Sequence, residues 1–391
     1  MKEVLTIVEE FEKTTRDGKA AALATVVQAS GSTYRHPGAR MLMTQEGHSV
    51  GSISGGCLEA DVFERAQEVM VSGEPVVVTY DTTSDTDIVW GLGLGCNGLV
   101  RVLIERLAPQ SQPAHLAFLA GCFRSRQMGV LATVFRVAGQ VQENVGARLM
   151  LQLDGSITNQ IENSALVSLL LADAGKVLCH KQSTVKSYQL ATGEAEVFIE
   201  VIQPPVALIL FGAGHDAVAV ARLAKELGWQ VTVVDNRQSN RTLERFSQAD
   251  AIVLCRPERI QEHITMDNRT VAVVMTHNYL HDLELLKTLL PSPLCYLGVL
   301  GPKSRTERLL HDLLSEGMVP IEKQLRRLYG PCGLDIGADT SEEIALSIMA
   351  EIQSVLTNRF GGFLRDRKGP IHSQSEDYLR SEDFLCLPSV S

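Results

Sequence analysis

The sequence is short of several things, and each shortage removes a class of function. No apolar run approaches membrane-spanning length. The N-terminus, MKEVLTIVEEFEKTTRDGK, reads as an acidic amphipathic helix rather than a secretory leader. Basic residues are in deficit: 36 Lys and Arg against 46 Asp and Glu give a net charge of −10. With no clustered basic stripe either, a nucleic-acid partner is not expected. None of the eight cysteines (57, 96, 122, 179, 255, 295, 332 and 386) forms a C-x-x-C pair. That spacing argues against a zinc ribbon, a thioredoxin-type motif or iron–sulfur clusters. A chain of this size needs no disulfide staples, so reduced thiols in the cytoplasm are expected. Aromatics are scarce at 5% while 45% of residues are hydrophobic, which suits a soluble α/β chain. The 391 residues allow two or three domains.

What is present centres on ALILFGAGHDAVAVARLAKELGWQVTVVDNR, residues 207–237. The apolar run 206–211 meets Gly212 and Gly214, a helical pattern follows to Gly228, and a second apolar run ends on Asp235. Strand, tight turn, helix and strand, with an acid about twenty residues on, is the pattern of a dinucleotide crevice. Gly212 permits the sharp turn, Gly214 keeps bulk away from a phosphate, and Ala217 allows close helix–strand packing. The free N–H groups at the helix start are then expected to face an anion. Gln203-Pro204-Pro205 marks the boundary before this fold.

Beyond it, strands are expected at 251–254, 271–275 and 295–300, and a last helix at 344–356 capped by Thr340-Ser341-Glu342-Glu343. Ligands of open parallel sheets bind outside the carboxyl ends of the strands. His215, Asp235, Arg237, His277, Asp282 and Lys303 all fall at such ends, whereas His281 and Arg305 read as ordinary loop polarity. His277 with His281 lacks a third partner for a metal. The segment 357–391 reads as a polar tail.

The N-terminal half hides a repeat. Residues 130–161 match 22–53 without a gap, at an offset of 130 − 22 = 108. Leu-Ala-Thr-Val recurs at 23 and 131, Gly-Ala-Arg at 38 and 146, and single glycines at 31/139 and 47/155. Such a match predicts two α/β copies, about 22–105 and 130–202, packed side by side. Only the first copy carries Ser54-Gly55-Gly56-Cys57-Leu58-Glu59 before a helix and the loop Gly91-Leu92-Gly93-Leu94-Gly95-Cys96-Asn97-Gly98. Features needed by the fold alone would appear in both, so binding or chemistry is expected on the first. Exposed N–H groups around Gly55 and Gly56 would favour an anion and lower the Cys57 pKa, giving a nucleophilic or metal-seeking thiolate. The same turn could instead hold a buried, inert cysteine. Glu59 offers a carboxylate to an amino-heterocycle. Cys96 and Cys332 are weaker second and third thiols.

Taken together, GSTYRHPGARM, GSISGGCLEADV, GLGLGCNG, the glycine-turn segment, THNYLHD, YLGVLGPKSR and GLDIGADTSEEIALSIMAEI resemble the XdhC/CoxI family. These motifs span about residues 5–356. The family's usual Pro-Ile-Gly-Leu reads Pro331-Cys332-Gly333-Leu334 here, and Lys303 varies in the loop after Gly301. The resemblance implies an α/β protein: an N-terminal domain (1–203) with a degenerate repeat, then a Rossmann-like doubly wound parallel sheet (204–356). It implies an accessory protein that binds molybdenum cofactor (molybdopterin), assists its sulfuration with a cysteine desulfurase, and delivers it to an apo molybdenum hydroxylase. A homodimer is also expected. The cofactor-binding set is then Arg40, Ser54, Gly55, Gly56, Cys57, Glu59 and Cys96 in the first domain, with Cys57 as molybdenum ligand. Gly212, Gly214, His215, Asp235, Arg237, His277 and Asp282 complete it in the second. The alternative is an NAD(P)-dependent oxidoreductase using the same crevice, where Asp235 favours NAD and Arg237 blurs the preference.

Overall fold

The computed structural model describes residues 2–31, 33–81, 98–109, 112–236 and 240–368. Two compact units divide the chain, residues 3–204 and 205–368. The tail beyond 368, with Cys96 and Arg237, lies outside the described residues.

Unit 1 opens with α1 (Lys2–Arg16), whose Ile7, Val8 and Phe11 recur at helical spacing and are buried. There follow β1 (Ala21–Gly31), β2 (Arg40–Thr44), β3 (Ser49–Gly51), α2 (Glu59–Ser72), β4 (Val76–Asp81) and β5 (Gly98–Leu107). The series then runs again as α3 (Ala114–Arg124), β6 (Gly129–Gly139), β7 (Arg148–Gln152), β8 (Ile157–Asn159), α4 (Ser164–His180), β9 (Thr184–Leu190) and β10 (Gly193–Ile202). The two antiparallel sheets share one strand order, β3-β2-β1-β5-β4 and β8-β7-β6-β10-β9. The repeat therefore reaches past the segment that aligns in sequence. The strand starts differ by 129 − 21 = 108, 157 − 49 = 108 and 184 − 76 = 108, but the last strands by only 193 − 98 = 95. Helices α2 and α4 start 164 − 59 = 105 apart, so the first copy holds three additional residues between its third strand and its helix. Those residues make the loop containing Cys57.

Alternate residues of each central strand serve two cores, as the pleat requires. Ala22, Ala24 and Val26 pack under α2, and Val130, Ala132 and Val134 pack under α4. The opposite faces meet each other: Val27 and Leu103 pack against Phe135 and Phe198, their counterparts in the other copy. Both central pairs carry an irregularity at matching places, beside Val27 and Phe135, which turns these two side chains inward.

Charge also joins the copies. The Arg40 guanidinium takes the Glu200 carboxylate from both nitrogens, one contact at 2.9 Å, and donates to the Gly38 carbonyl at 2.8 Å. Arg148 repeats this with Glu105, at 3.0 Å, and with the Gly146 carbonyl at 2.7 Å. Since 40 + 108 = 148 and 105 + 95 = 200, the two pairs are one interaction exchanged across a local two-fold relation. On that axis Arg101 meets its own counterpart, Glu196, at 2.6 Å. Identical subunits would oppose like charges there; a duplicated chain can diverge to opposite ones. Arg40, expected to contact a cofactor, is 4% exposed and its side chain is committed to Glu200.

His115 of α3 lies buried beside these pairs, and its Nε2 meets no hydrogen-bond partner. Burial, with the positive charges of Arg148 and Arg40, pushes its pKa well below the ordinary 6.5. The unfolded chain takes up a proton near 6.5 while the folded one stays neutral. Stability from this group is therefore complete above that pH and is lost as pH falls below it, until the folded pKa is reached. The loss approaches about 1.4 kcal/mol per pH unit. Urea titrations between pH 7.5 and 5.5 should show this slope in the parent and a shallower one in His115→Leu. Equal slopes would contradict the assignment.

Unit 2 is a six-stranded parallel sheet. Its strands are β11 (Ala207–Phe211), β12 (Gln230–Asp235), β13 (Ala251–Leu254), β14 (Thr270–Val274), β15 (Tyr296–Val299) and β16 (Leu328–Tyr329). The order β13-β12-β11-β14-β15-β16 reverses direction between β11 and β14, the doubly wound arrangement whose switch point forms a crevice. β11 is buried on both sides, which explains its unbroken apolar run. Leu208 and Leu210 face α5 (His215–Glu226) and α10 (Ser341–Leu356), while Ile209 and Phe211 face α7 (Tyr279–Leu289) and α8 (Lys303–Ser315). Among the described residues no helix is long and apolar enough to cross a membrane.

Candidate functional site

At the switch point Gly212 has φ +110°, and a Cβ there would lie 2.4 Å from the Met275 carbonyl oxygen. Only glycine lets the exits of β11 and β14 come this close. Gly214 caps α5 and Ala217, with no exposure, lets that helix settle on the sheet. A cleft of about 940 Å³ opens beside this turn, lined by Gly214, His215, Asp216, His277, Cys332 and Asp335 among others. A smaller cavity of about 160 Å³ contains Gly212, Asp235, Asn236, Thr276 and His281. The crevice thus gathers Gly214, His215 and His277 around one opening and Gly212 with Asp235 around another.

The segment after β14 is tightly held. His277 adopts a left-handed backbone, φ +56°, uncommon for a residue with a side chain. Asn278 accepts hydrogen bonds from the Leu280 and His281 N–H groups and starts α7. Asp282 is 1% exposed. Its Oδ1 accepts from the Thr276 hydroxyl at 2.5 Å, and its Oδ2 accepts from Arg305 Nη2 at 2.6 Å and Nε at 3.1 Å. Asp282, expected among the cofactor contacts, instead ties this loop to α8, and Arg305 is its partner rather than loose surface polarity. His277, freed to project outward, places Nε2 2.9 Å from Asp216 Oδ2. His281 turns away, toward Asn236 at 3.3 Å. Among the described residues no group of three or more His, Cys, Asp or Glu could hold a metal ion.

A dinucleotide fits this turn poorly. The Asp216 carboxylate accepts the Ala217 N–H at 3.0 Å, and its Oδ1 would stand 2.4 Å from a Cβ on Gly214. The space left by that glycine and a donor of the helix start are both taken by the chain's own acid. Sequence reasoning passed over Asp216; an acid in the first turn of a helix expected to meet an anion was the available signal.

Unit 1 repeats the theme. The expected anion cradle around Gly55 and Gly56 is filled from within: Ser54 Oγ accepts from the N–H groups of Gly56, Cys57 and Leu58, each at 3.1 Å. Glu59 in turn accepts from the Ser54 hydroxyl and from the N–H groups of Ile53, at 3.2 Å, and Ser54, at 2.8 Å. Partial burial acts to raise the Glu59 pKa, but the hydrogen bonds from Ser54 and the backbone outweigh it and hold the carboxyl below its ordinary value. Cys57 is half-buried on this closed loop. In the second copy Asn163 caps the helix through the Leu166 N–H at 3.0 Å, and Glu143 takes the N–H groups before it. Cys332 is buried, and burial followed by the nearby Glu351 pushes its thiol up to about 12. It is packing rather than a third reactive thiol.

Two features define the class: a six-stranded Rossmann-type unit and a duplicated α/β unit whose first copy alone carries the cysteine loop. The chain belongs to the XdhC and CoxI family. That family's profile matches twice, at residues 14–81 and 122–189, and the XdhC Rossmann domain profile matches 208–352. The double match starts 122 − 14 = 108 residues apart, the offset of the repeat. The chain is 34% identical over 336 residues to a Bacillus subtilis protein named as a probable xanthine dehydrogenase subunit, covering 86% of this chain and 93% of that one. It is 25% identical over 342 residues to the Escherichia coli molybdenum cofactor insertion chaperone PaoD, covering 86% and 84%. A crystal structure from Bacillus halodurans described as a xanthine dehydrogenase superposes with a TM-score of 0.72 at 28% identity, covering 90% of this chain and 96% of that one.

Proposed function

We propose that this chain is an accessory protein of molybdenum hydroxylase maturation. In this reading it binds molybdenum cofactor, holds it while a cysteine desulfurase supplies sulfur, and passes it to an apo-hydroxylase of the xanthine dehydrogenase type. The likeness to PaoD, extending over 86% of the chain, carries the reading. The asymmetry of the repeat supports the place: α2 starts three residues later than its counterpart α4, which leaves Cys57 on a loop where the second copy is already helical. When bound, the cofactor supplies a molybdenum centre held by a pterin dithiolene, for which a half-buried thiol is a fitting soft ligand. The backbone N–H groups there are already used, so this loop offers the thiol and little for a phosphate. Ser54 and Glu59 act by position, since their hydrogen bonds fix the backbone that presents Cys57.

Cys57→Ser is expected to lower retained molybdopterin roughly tenfold or more and to reduce client activation, with the melting temperature nearly unchanged. Cys179→Ser, in α4 of the second copy, is the control and should retain as much as the parent. Molybdopterin per chain after gel filtration is the measurement. Equal retention in all three proteins would remove Cys57 from the site.

A further inference from the structure

The NAD(P) alternative raises a question that the crevice itself answers. In a dinucleotide turn the second glycine leaves room for pyrophosphate, and the first N–H groups of the following helix receive it. Here that room beside Gly214 holds Asp216 Oδ1, and the Ala217 N–H already donates to the same oxygen. The other oxygen is fastened to His277, which stands on a loop anchored through Asp282 to Arg305. The Asp216 side chain is only 15% exposed, so it does not simply swing into water.

We propose that Asp216 is an internal occupant of the phosphate position and that it excludes NAD(P) and other pyrophosphate ligands from the Rossmann crevice. One donor of the helix start, the Ala217 N–H, is taken by a negative charge that belongs to the protein, and an incoming pyrophosphate meets that like charge in the room beside Gly214. Asp216 is thus a specificity-determining residue: the cleft keeps its volume but admits ligands without a pyrophosphate bridge. This inference is independent of the molybdenum cofactor reading, because it concerns a ligand refused in unit 2 and is tested with nucleotides alone.

The test is calorimetric titration of the full chain with NAD⁺ and with ADP, with melting temperatures recorded alongside. The parent should show no binding up to millimolar nucleotide. Asp216→Ala, which empties the position, should bind ADP at least roughly tenfold more tightly than the parent. Asp216→Asn, which removes the charge but keeps an acceptor for the Ala217 N–H, should gain less. His277→Ala leaves the carboxylate on the helix start and should gain nothing. Micromolar binding of NAD⁺ or ADP by the parent would overturn the proposal. So would a folded Asp216→Ala that binds no better than the parent, or a His277→Ala that gains as much as Asp216→Ala.

Discussion

Arg40→Ala is expected to destabilise unit 1 by about 3–5 kcal/mol, because it strands the Glu200 carboxylate in the interior between the two copies. Glu200 is 9% exposed and Arg40 4%, so water cannot replace the lost guanidinium. The local two-fold relation makes a second, linked forecast: Arg148→Ala should cost a similar amount, since Arg148 and Glu105 repeat the arrangement. The double change Arg40→Met with Glu200→Leu removes both charges together and should lie much nearer the parent than either single change. Urea unfolding of the full chain, following the transition of unit 1, measures all of these. A cost below about 1 kcal/mol for Arg40→Ala, typical of a surface pair, would mean that the pair does not hold the copies together.

Asp282→Ala is expected to cost unit 2 about 2–4 kcal/mol. Two effects add: Arg305 loses a two-nitrogen contact to a buried carboxylate, and the Thr276 hydroxyl loses its acceptor. Arg305 keeps some access to solvent, 23% of its side chain, which places the expectation below that for Arg40. The same change should loosen the segment carrying His277, since its left-handed backbone persists only while its surroundings fix it. Faster amide exchange at residues 276–281, beside a lowered melting temperature, is the expected signature. Unchanged exchange there would show that α7's Asn278 cap holds the loop without Asp282.

How much of this was legible beforehand follows from particular residues. The doubly wound unit was, because β11 and β12 are buried runs joined by a glycine turn, and burial on both faces leaves a continuous apolar record. The edge strand Leu328–Tyr329 was not, being two residues long. The repeat was readable only as far as Ile53 and Ile161. Beyond them the offset of 108 still holds to β4 and β9 but few residues match, and an addition before β5 shifts the register and hides the equivalence of β5 with β10. Glu105 and Glu200 could not be recognised as partners of the Gly-Ala-Arg arginines without that second offset. β9, TVKSYQL, was missed because a partly exposed strand carries few apolar residues.

The site showed a consistent bias. Glycines announce backbone freedom near a helix start, and from sequence that reads as an anion cradle. In this chain donors are taken by its own side chains: the Glu59 carboxylate and the Ser54 hydroxyl in unit 1, Asp216 at α5, and Glu343 at α10, where it accepts the Asp339 and Thr340 N–H groups at 2.9 Å. Which side chain folds back is set by side-chain geometry, and motif spacing does not encode it. Cys57 survives as a candidate because its interest lies in the thiol rather than in the turn around it.

The most direct measurement is the content of the unaltered chain purified from a cofactor-replete host. Molybdenum and molybdopterin are expected to co-elute with the protein in near-stoichiometric amounts, and no nicotinamide nucleotide should accompany them. A chain carrying a nicotinamide nucleotide, or carrying neither, would contradict the maturation role.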